Sequence, residues 1–232
     1  MEVLNFRNRN IGDDGARALS TALIHENNKV TTLTLLHTNI GYDGARSLST
    51  ALMNENNKAT ELIFWNNRIG DDGVSALSIA LMNVNNKLTT LDVIHNKIGD
   101  NGVSALSMAL MNENNKVTTL DLSFNNIGTQ GLAALVKSLR FSLVSHLEIG
   151  YQRGLNDEVQ TGLERFTRAC NKYLARLVCL ASVRTISRIG DQSPHFRELS
   201  SDILIRVVQT LGWFIGYQET LRMLEEHVEN EK

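Results

Sequence analysis

Proline occurs once in the 232 residues, at Pro194, and cysteine twice, at Cys170 and Cys179. A single proline argues against a proline-rich disordered linker. The cysteines stand nine residues apart in a stretch of helical periodicity. That spacing is about 13 Å along a helix axis, too far for a disulfide. No disulfide framework is implied, and a reducing compartment is the better fit. An excess of one charge is also missing. Lys and Arg number 23 against 25 Asp and Glu, a formal net charge of −2, so bulk charge offers no attraction to nucleic acid. No apolar run reaches membrane-spanning length, and the opening MEVLNFRNRN holds no apolar signal core. The expected location is the cytoplasm, or one reached by a route that needs no N-terminal signal. What is present is apolar content of 42%, enough for one extended domain or two small ones with packed cores.

The chain repeats itself. Leu4, Leu33, Leu62, Leu91 and Leu120 are 29 residues apart, as are Ile11, Ile40, Ile69, Ile98 and Ile127. Two glycine rows keep the same step, one from Gly12 to Gly128 and one from Gly15 to Gly131. A sixth start, Leu147, follows after 27 residues. Self-similarity of this regularity is the mark of a solenoid.

Inside one copy, LDVIHNKIGDNGVSALSMALMNENNK (91–116), the period changes. Leu91 and Val93 alternate with Asp92 and Ile94, which predicts a strand. Val103, Leu106, Ala109 and Leu110 share one helical face. Asp14, Asp43, Asp72 and Asn101 are expected to cap the helices that follow them. The Asn-Asn-Lys runs after each helix are expected to take the left-handed cap conformation that asparagine tolerates. A strand, a helix and a return, iterated, give an α/β architecture: a parallel sheet lined by helices.

The pattern L-x-L-x-x-N-x-I-G-x-x-G before an alanine/leucine helix resembles the leucine-rich repeat, in its ribonuclease-inhibitor-like class, over residues 4–149. The resemblance implies a solenoid with its sheet on the concave face and helices on the convex face. It also implies that Asn67, Asn96 and Asn125 are buried and hydrogen-bond the neighbouring turns. Two copies depart from this, with Arg9 and Thr38, so looser packing is expected at that end.

The outward residues of the strands form rows across the concave face, because adjacent strands lie about 4.8 Å apart. One row is Asn5, Thr34, Ile63, Asp92, Asp121, Glu148. A second is Arg7, Leu36, Trp65, Ile94, Ser123, and a third is Asn8, His37, Asn66, His95, Phe124. Leu36, Ile63, Trp65 and Ile94 then make an apolar patch bordered by His37, His95 and Phe124, with Asp92 and Asp121 to one side. Rimmed clusters of this kind mark binding surfaces, and Trp65 is the expected anchor for a protein partner. The alternative is that the C-terminal helices or a second copy of the chain cover it. The backbones of His37 and His95 are about 10 Å apart, and zinc needs converging ligands about 2 Å from the ion, so no metal site is expected.

Residues 151–232 break the 29-residue pattern and read as a helical C-terminal region after a solenoid of residues 1–150. Its least role is to cap the exposed end of the core. Asp157 to Gln160 has capping-box spacing. Arg165, Arg168, Lys172 and Arg176 share a helix face, which reads either as a solvated stripe or as weak contact with an anionic surface. FRELSSDILIRVVQTL (196–211) is similar to the first helix of an F-box, with Ser200 at the usual proline.

No enzyme is expected. Phosphate-cradling and nucleophile-elbow motifs are missing from the sequence. Cys170 precedes Asn171 and Lys172 and lacks the Cys-x-Asp arrangement of bacterial leucine-rich-repeat ubiquitin ligases. The expected function, with no cofactor, no nucleic acid and no integral membrane segment, is to bind a protein on the concave face. The near-identical Asn-rich repeats with a divergent helical tail also resemble effectors that intracellular bacteria deliver into a host cell cytosol. Inhibition of a partner by covering its active site is one outcome the resemblance implies. The rival readings are an F-box-like ubiquitination adaptor and a homo-oligomeric structural module.

Overall fold

A computed structural model describes residues 2–139, 142–155, 159–161 and 164. Six parallel strands form one sheet in chain order: β1 (Glu2–Asn5), β2 (Val30–Thr34), β3 (Glu61–Ile63), β4 (Thr90–Asp92), β5 (Thr119–Asp121) and β6 (His146–Glu148). Five helices alternate with them: α1 (Gly12–Leu23), α2 (Tyr42–Leu52), α3 (Gly70–Leu81), α4 (Asp100–Leu110) and α5 (Thr129–Leu139). The 29-residue period is the register itself, with Leu33 opposite Leu62 and Leu62 opposite Leu91. The last pair, Leu120 opposite Leu147, keeps register across 27 residues. None of these helices is long and apolar enough to cross a membrane.

The core lies between the layers. Leu33, Leu35, Leu62, Phe64, Leu91, Val93, Leu120 and Leu122 point inward from the sheet and are buried. The helices answer with Leu48, Leu77, Leu106 and Leu135. The first repeat is the least buried: α1 buries only Ala16 and Leu23, where α3 buries six residues. The expected looseness around Arg9 and Thr38 therefore takes the form of an uncovered first helix. Thr38 itself is buried, its hydroxyl 2.9 Å from Asn67 Oδ1 and 3.1 Å from Leu35 O.

Two capping expectations need correction. The carboxylates that hold helix starts are Asp13, Asp71 and Asp100, and each reaches the next repeat. Asp13 Oδ1 accepts from Gly41 N (2.7 Å) and Gly44 N (3.0 Å). Asp71 Oδ1 accepts from Gly99 N (2.5 Å), and Asp100 Oδ1 from Gly128 N (2.7 Å) and Gly131 N (2.9 Å). Asp14, Asp43, Asp72 and Asn101 already lie inside the first helical turn. Their side chains are past the position from which an N-cap can reach back. This inter-repeat clamp accounts for Gly44, Gly102 and Gly131 of the second glycine row, where a Cβ would sit 2.5–2.7 Å from the clamping Oδ1; at Gly15 and Gly73 it would instead meet Ile11 and Ile69.

The Asn-Asn-Lys runs contain no left-handed residue. Their amides do the capping instead. Asn57, Asn86 and Asn115 each donate to the carbonyl five residues earlier and accept from the N–H two residues later. Asn56, Asn85 and Asn114 reach back one repeat, to Ile24 O, Met53 O and Met82 O. A primary amide with both donor and acceptor satisfies the helix end without a strained backbone. The helical C-terminal region predicted for 151–232, including the capping-box Asp157, Cys170, Cys179, the Arg165, Arg168, Lys172, Arg176 stripe and the F-box-like 196–211, lies outside the described residues apart from 151–155, 159–161 and 164.

Candidate partner-binding surface

The last residues of β4 and β5 turn the chain with their own side chains. Asp92 Oδ1 accepts from Ile94 N (3.0 Å) and Asp121 Oδ1 from Ser123 N (2.9 Å), local turns that compete with a longer ladder. Backbone pairing still continues beyond them. His37 N donates to Trp65 O, Asn66 N to Ile94 O, His95 N to Ser123 O and Phe124 N to Tyr151 O. The second and third rows are therefore held in register by main-chain bonds, on a rigid frame.

Under that frame runs an amide ladder. Asn67 Oδ1 accepts from Thr38 N and Ile40 N, and its Nδ2 donates to Leu35 O and Phe64 O. Asn125 does the same two repeats on, for Asn96 N, Ile98 N, Val93 O and Leu122 O. Buried turn backbone requires such partners. Gln152, which the sequence reading missed, closes the ladder: Oε1 accepts from Ile127 N and Nε2 donates to Leu122 O. The signal was available, since the 27-residue step that places Leu147 after Leu120 also places Gln152 after Asn125.

The three rows carry the expected residues but not the expected exposures. Trp65 is 43% exposed and Phe124 53%. Ile63, Ile94 and His95 are half-buried, and His37 is exposed. Leu36 is only 5% exposed, so it supports the patch from beneath and does not present it. Its row neighbour one strand away is Trp65, and an indole about 4.8 Å across the sheet shades a shorter aliphatic chain. Tyr151, 53% exposed, joins the surface as the sixth member of the third row. Its ring centroid lies 6.2 Å from that of Phe124, and the His37 and Trp65 rings are 6.1 Å apart, both pairs tilted. The amide of Asn66 hydrogen-bonds His37 Nδ1, fixing that imidazole beside the indole.

Every member of the third row up to Phe124 has positive φ: Asn8 58°, His37 53°, Asn66 54°, His95 57°, Phe124 57°. Asparagine accepts this conformation readily, and a bulky aromatic does not. At Phe124 the chain holds a large ring, at a conformational cost of about 1 kcal/mol or more, where it is mostly in water.

Thr34, Ile63, Asp92, Asp121 and Glu148 are aligned across five strands by the ladder. Burial raises the Asp92 carboxyl to about 6 against the pull of the Ile94 N–H, with Asp121 adding to the rise. A further carboxylate, Glu148, sits 3.4 Å from His146 Nε2. One flank of the aromatic surface is thus acidic. The convex helices also expose apolar side chains, Ile79 and Met108, but these stand on ordinary helical backbone.

Four segments of the chain, residues 26–49, 60–78, 84–107 and 113–136, match a family model described as leucine rich repeat. A comparison with curated proteins returned no match.

Proposed function

Because the solenoid of this chain is built of leucine-rich repeats, a class of module that mediates protein–protein contact, we propose that its concave face holds a partner protein, with Trp65, Phe124 and Tyr151 as anchors. The observation that carries this reading is Phe124: an aromatic ring held exposed at positive φ. Folding stability alone selects against that arrangement. Ile63 and Ile94 form the floor between the anchors, and His37 and His95 supply hydrogen bonds at the edge. Asp92 and Asp121 face the partner's basic groups, which favour the ionised form of Asp92 that burial disfavours.

Within this reading the repeats belong to the ribonuclease-inhibitor-like class, and inhibition follows if the covered surface of the partner is its working site. Delivery into a host cytosol is a finer version of this interaction function, and an F-box-like adaptor role for residues 196–211 is a rival to it. Residues 196–211 and most of the helical tail lie outside the described residues.

The test is affinity capture from cytosolic extract with the intact protein and with Trp65→Glu. A polypeptide retained by the first and lost by the second, at equal melting temperature, supports the anchor. Truncating an interface tryptophan costs about 2 kcal/mol or more, roughly a 30-fold loss of affinity. An identical captured set from both proteins overturns the proposal. Sedimentation that shows a dimer of the intact chain and a monomer of Trp65→Glu assigns the face to self-association.

A further inference from the structure

The strand-to-helix turns, at the edge of the aromatic surface, carry a feature that the interaction reading does not use. Arg68, Lys97 and Arg153 come from three different repeats and line one pocket of about 240 Å³, with Asn66, Asn126 and Phe124. The backbone N–H groups of Arg68, Asn126 and Arg153 are fixed to Ile40 O, Ile98 O and Asn125 O. Main-chain bonds thus hold this edge together, whatever the side chains do. Among the described residues the ion pairs are Arg17 with Asp14 and His146 with Glu148, and none involves the three cations of the pocket. Convergent like charges without a counter-charge repel one another. A molecule with a near-zero net charge has carboxylates to spare, yet places them on the opposite flank, at Asp92, Asp121 and Glu148.

We propose that this pocket is an anion-binding subsite for a doubly charged oxyanion of the phosphate monoester type, carried on a side chain of the partner whose apolar part meets Phe124. The proposal rests on the concave-face reading for its second half only; the anion site itself does not need it. Two guanidinium forks give bidentate geometry to tetrahedral oxygens, and an ammonium adds a mobile point charge. The amides of Asn66 and Asn126 stand at the same wall. A water's share of liquid volume is about 30 Å³, so the pocket takes an oxyanion with part of its hydration shell. Phe124 forms the side toward the aromatic surface, where the rest of the ligand's side chain would lie.

The experiment is a titration of the full ¹⁵N-labelled chain, at constant ionic strength, with inorganic phosphate, with O-phosphotyrosine and with chloride as the control. The expected result is saturable movement of the Arg68, Lys97 and Arg153 amides with both phosphates and none with chloride. O-phosphotyrosine is expected to bind at least about tenfold tighter than inorganic phosphate, because its ring adds the Phe124 contact. Arg68→Gln/Lys97→Gln/Arg153→Gln removes the saturable shifts, and Lys97→Glu alone, a change at an exposed position, weakens binding at least about tenfold. Linear shifts without saturation, or saturation that survives the triple substitution, overturn the site. Equal affinity for the two phosphates overturns the partner-borne half and leaves free phosphate as the ligand. In Trp65→Glu the phosphate shifts persist, so a failed partner capture and a failed anion site are separate results.

Discussion

The strand-to-helix turns of the third and fourth repeats differ far more than their sequences do. In the fourth, Asn96 N and Ile98 N donate to Asn125 Oδ1, and Gly99 N donates to Asp71 Oδ1. Lys97 then takes the left-handed conformation, φ 60°, and Gly99 is extended at φ −109°. In the third, both side-chain acceptors are lost. Asn96 Oδ1 is buried with no partner, and the residue in the place of the clamping aspartate is Tyr42. The left-handed residue moves to Gly70, φ 60°, whose N–H turns to Asn96 O instead. In the first repeat Gly12 N likewise donates to a backbone oxygen, Thr38 O, and Gly12 is left-handed at φ 58°. The second repeat, clamped by Asp13, has an extended Gly41 at φ −105°. A clamping carboxylate in one repeat thus goes with an extended glycine in the repeat after it.

The largest expected effect tests the amide ladder that closes the fourth turn. Asn125 makes contacts with Asn96 N, Ile98 N, Val93 O, Leu122 O and Ser123 O. Asn125→Ala leaves that buried backbone without partners, and is expected to cost about 3 kcal/mol or more in urea unfolding. Asn96 donates to Phe64 O and Ile94 O but accepts nothing. Asn96→Ala is expected to cost about 1–2 kcal/mol. Equal losses at the two positions would show that the unpartnered Oδ1 is satisfied in solution and that the two turns are alike.

Next in size is the clamp. Asp100→Ala removes the acceptor of Gly128 N and Gly131 N at the start of α5, with an expected loss of about 1–2 kcal/mol. The readout that separates a clamp from a general surface effect is amide exchange. Protection at Gly128 and Gly131 should fall, and protection at Gly70 and Gly73, which have no clamp to lose, should not. Uniform loss along the chain would assign Asp100 to global stability instead.

Much of this was legible in the period. Twenty-nine residues placed Leu33, Leu62, Leu91 and Leu120 in register, and the N-x-I-G-x-x-G spacing put Asn67 and Asn125 under the turns. What escaped is what depends on neighbours across repeats. Asp13, Asp71 and Asp100 reach forward to glycines 28 residues on, whereas a linear reading looks for a cap beside its own helix and finds Asp14 or Asp72. Leu36 has the right parity to face out but lies next to a larger ring. Tyr151 and Gln152 stand in a copy two residues short, where counting by 29 passes over them. The αL backbone of Phe124 is marked only by its row: Asn8, His37, Asn66 and His95 are of types enriched at positive φ, and Phe124 itself is not.

The smallest expected effect is a gain, and it decides whether Tyr42 causes the odd turn or only accompanies it. Tyr42 opens α2 as Asp100 opens α4, each directly after an extended glycine, Gly41 and Gly99. Tyr42→Asp therefore places a carboxylate where Asp100 stands, facing Gly70 N and Gly73 N of the next repeat. The gain is one charge-assisted clamp, and an extended Gly70 frees Ile69 N to meet Asn96 Oδ1. The loss is the half-exposed phenol, which lines a groove with Arg46, Met53, Asp72 and Ile79 between α2 and α3. The net expectation is about 0.5–1 kcal/mol of added stability. Gly70→Ala supplies the sharper measurement. At φ 60° an alanine is strained by about 1 kcal/mol or more, and at an extended glycine it is not. The substitution should cost that amount with Tyr42 in place and less beside Tyr42→Asp, where the backbone strain gives way to a close Cβ–carboxylate approach like the 3.3 Å one at Gly41 and Gly99. Additive costs in the double variant would mean that the carboxylate does not set the turn.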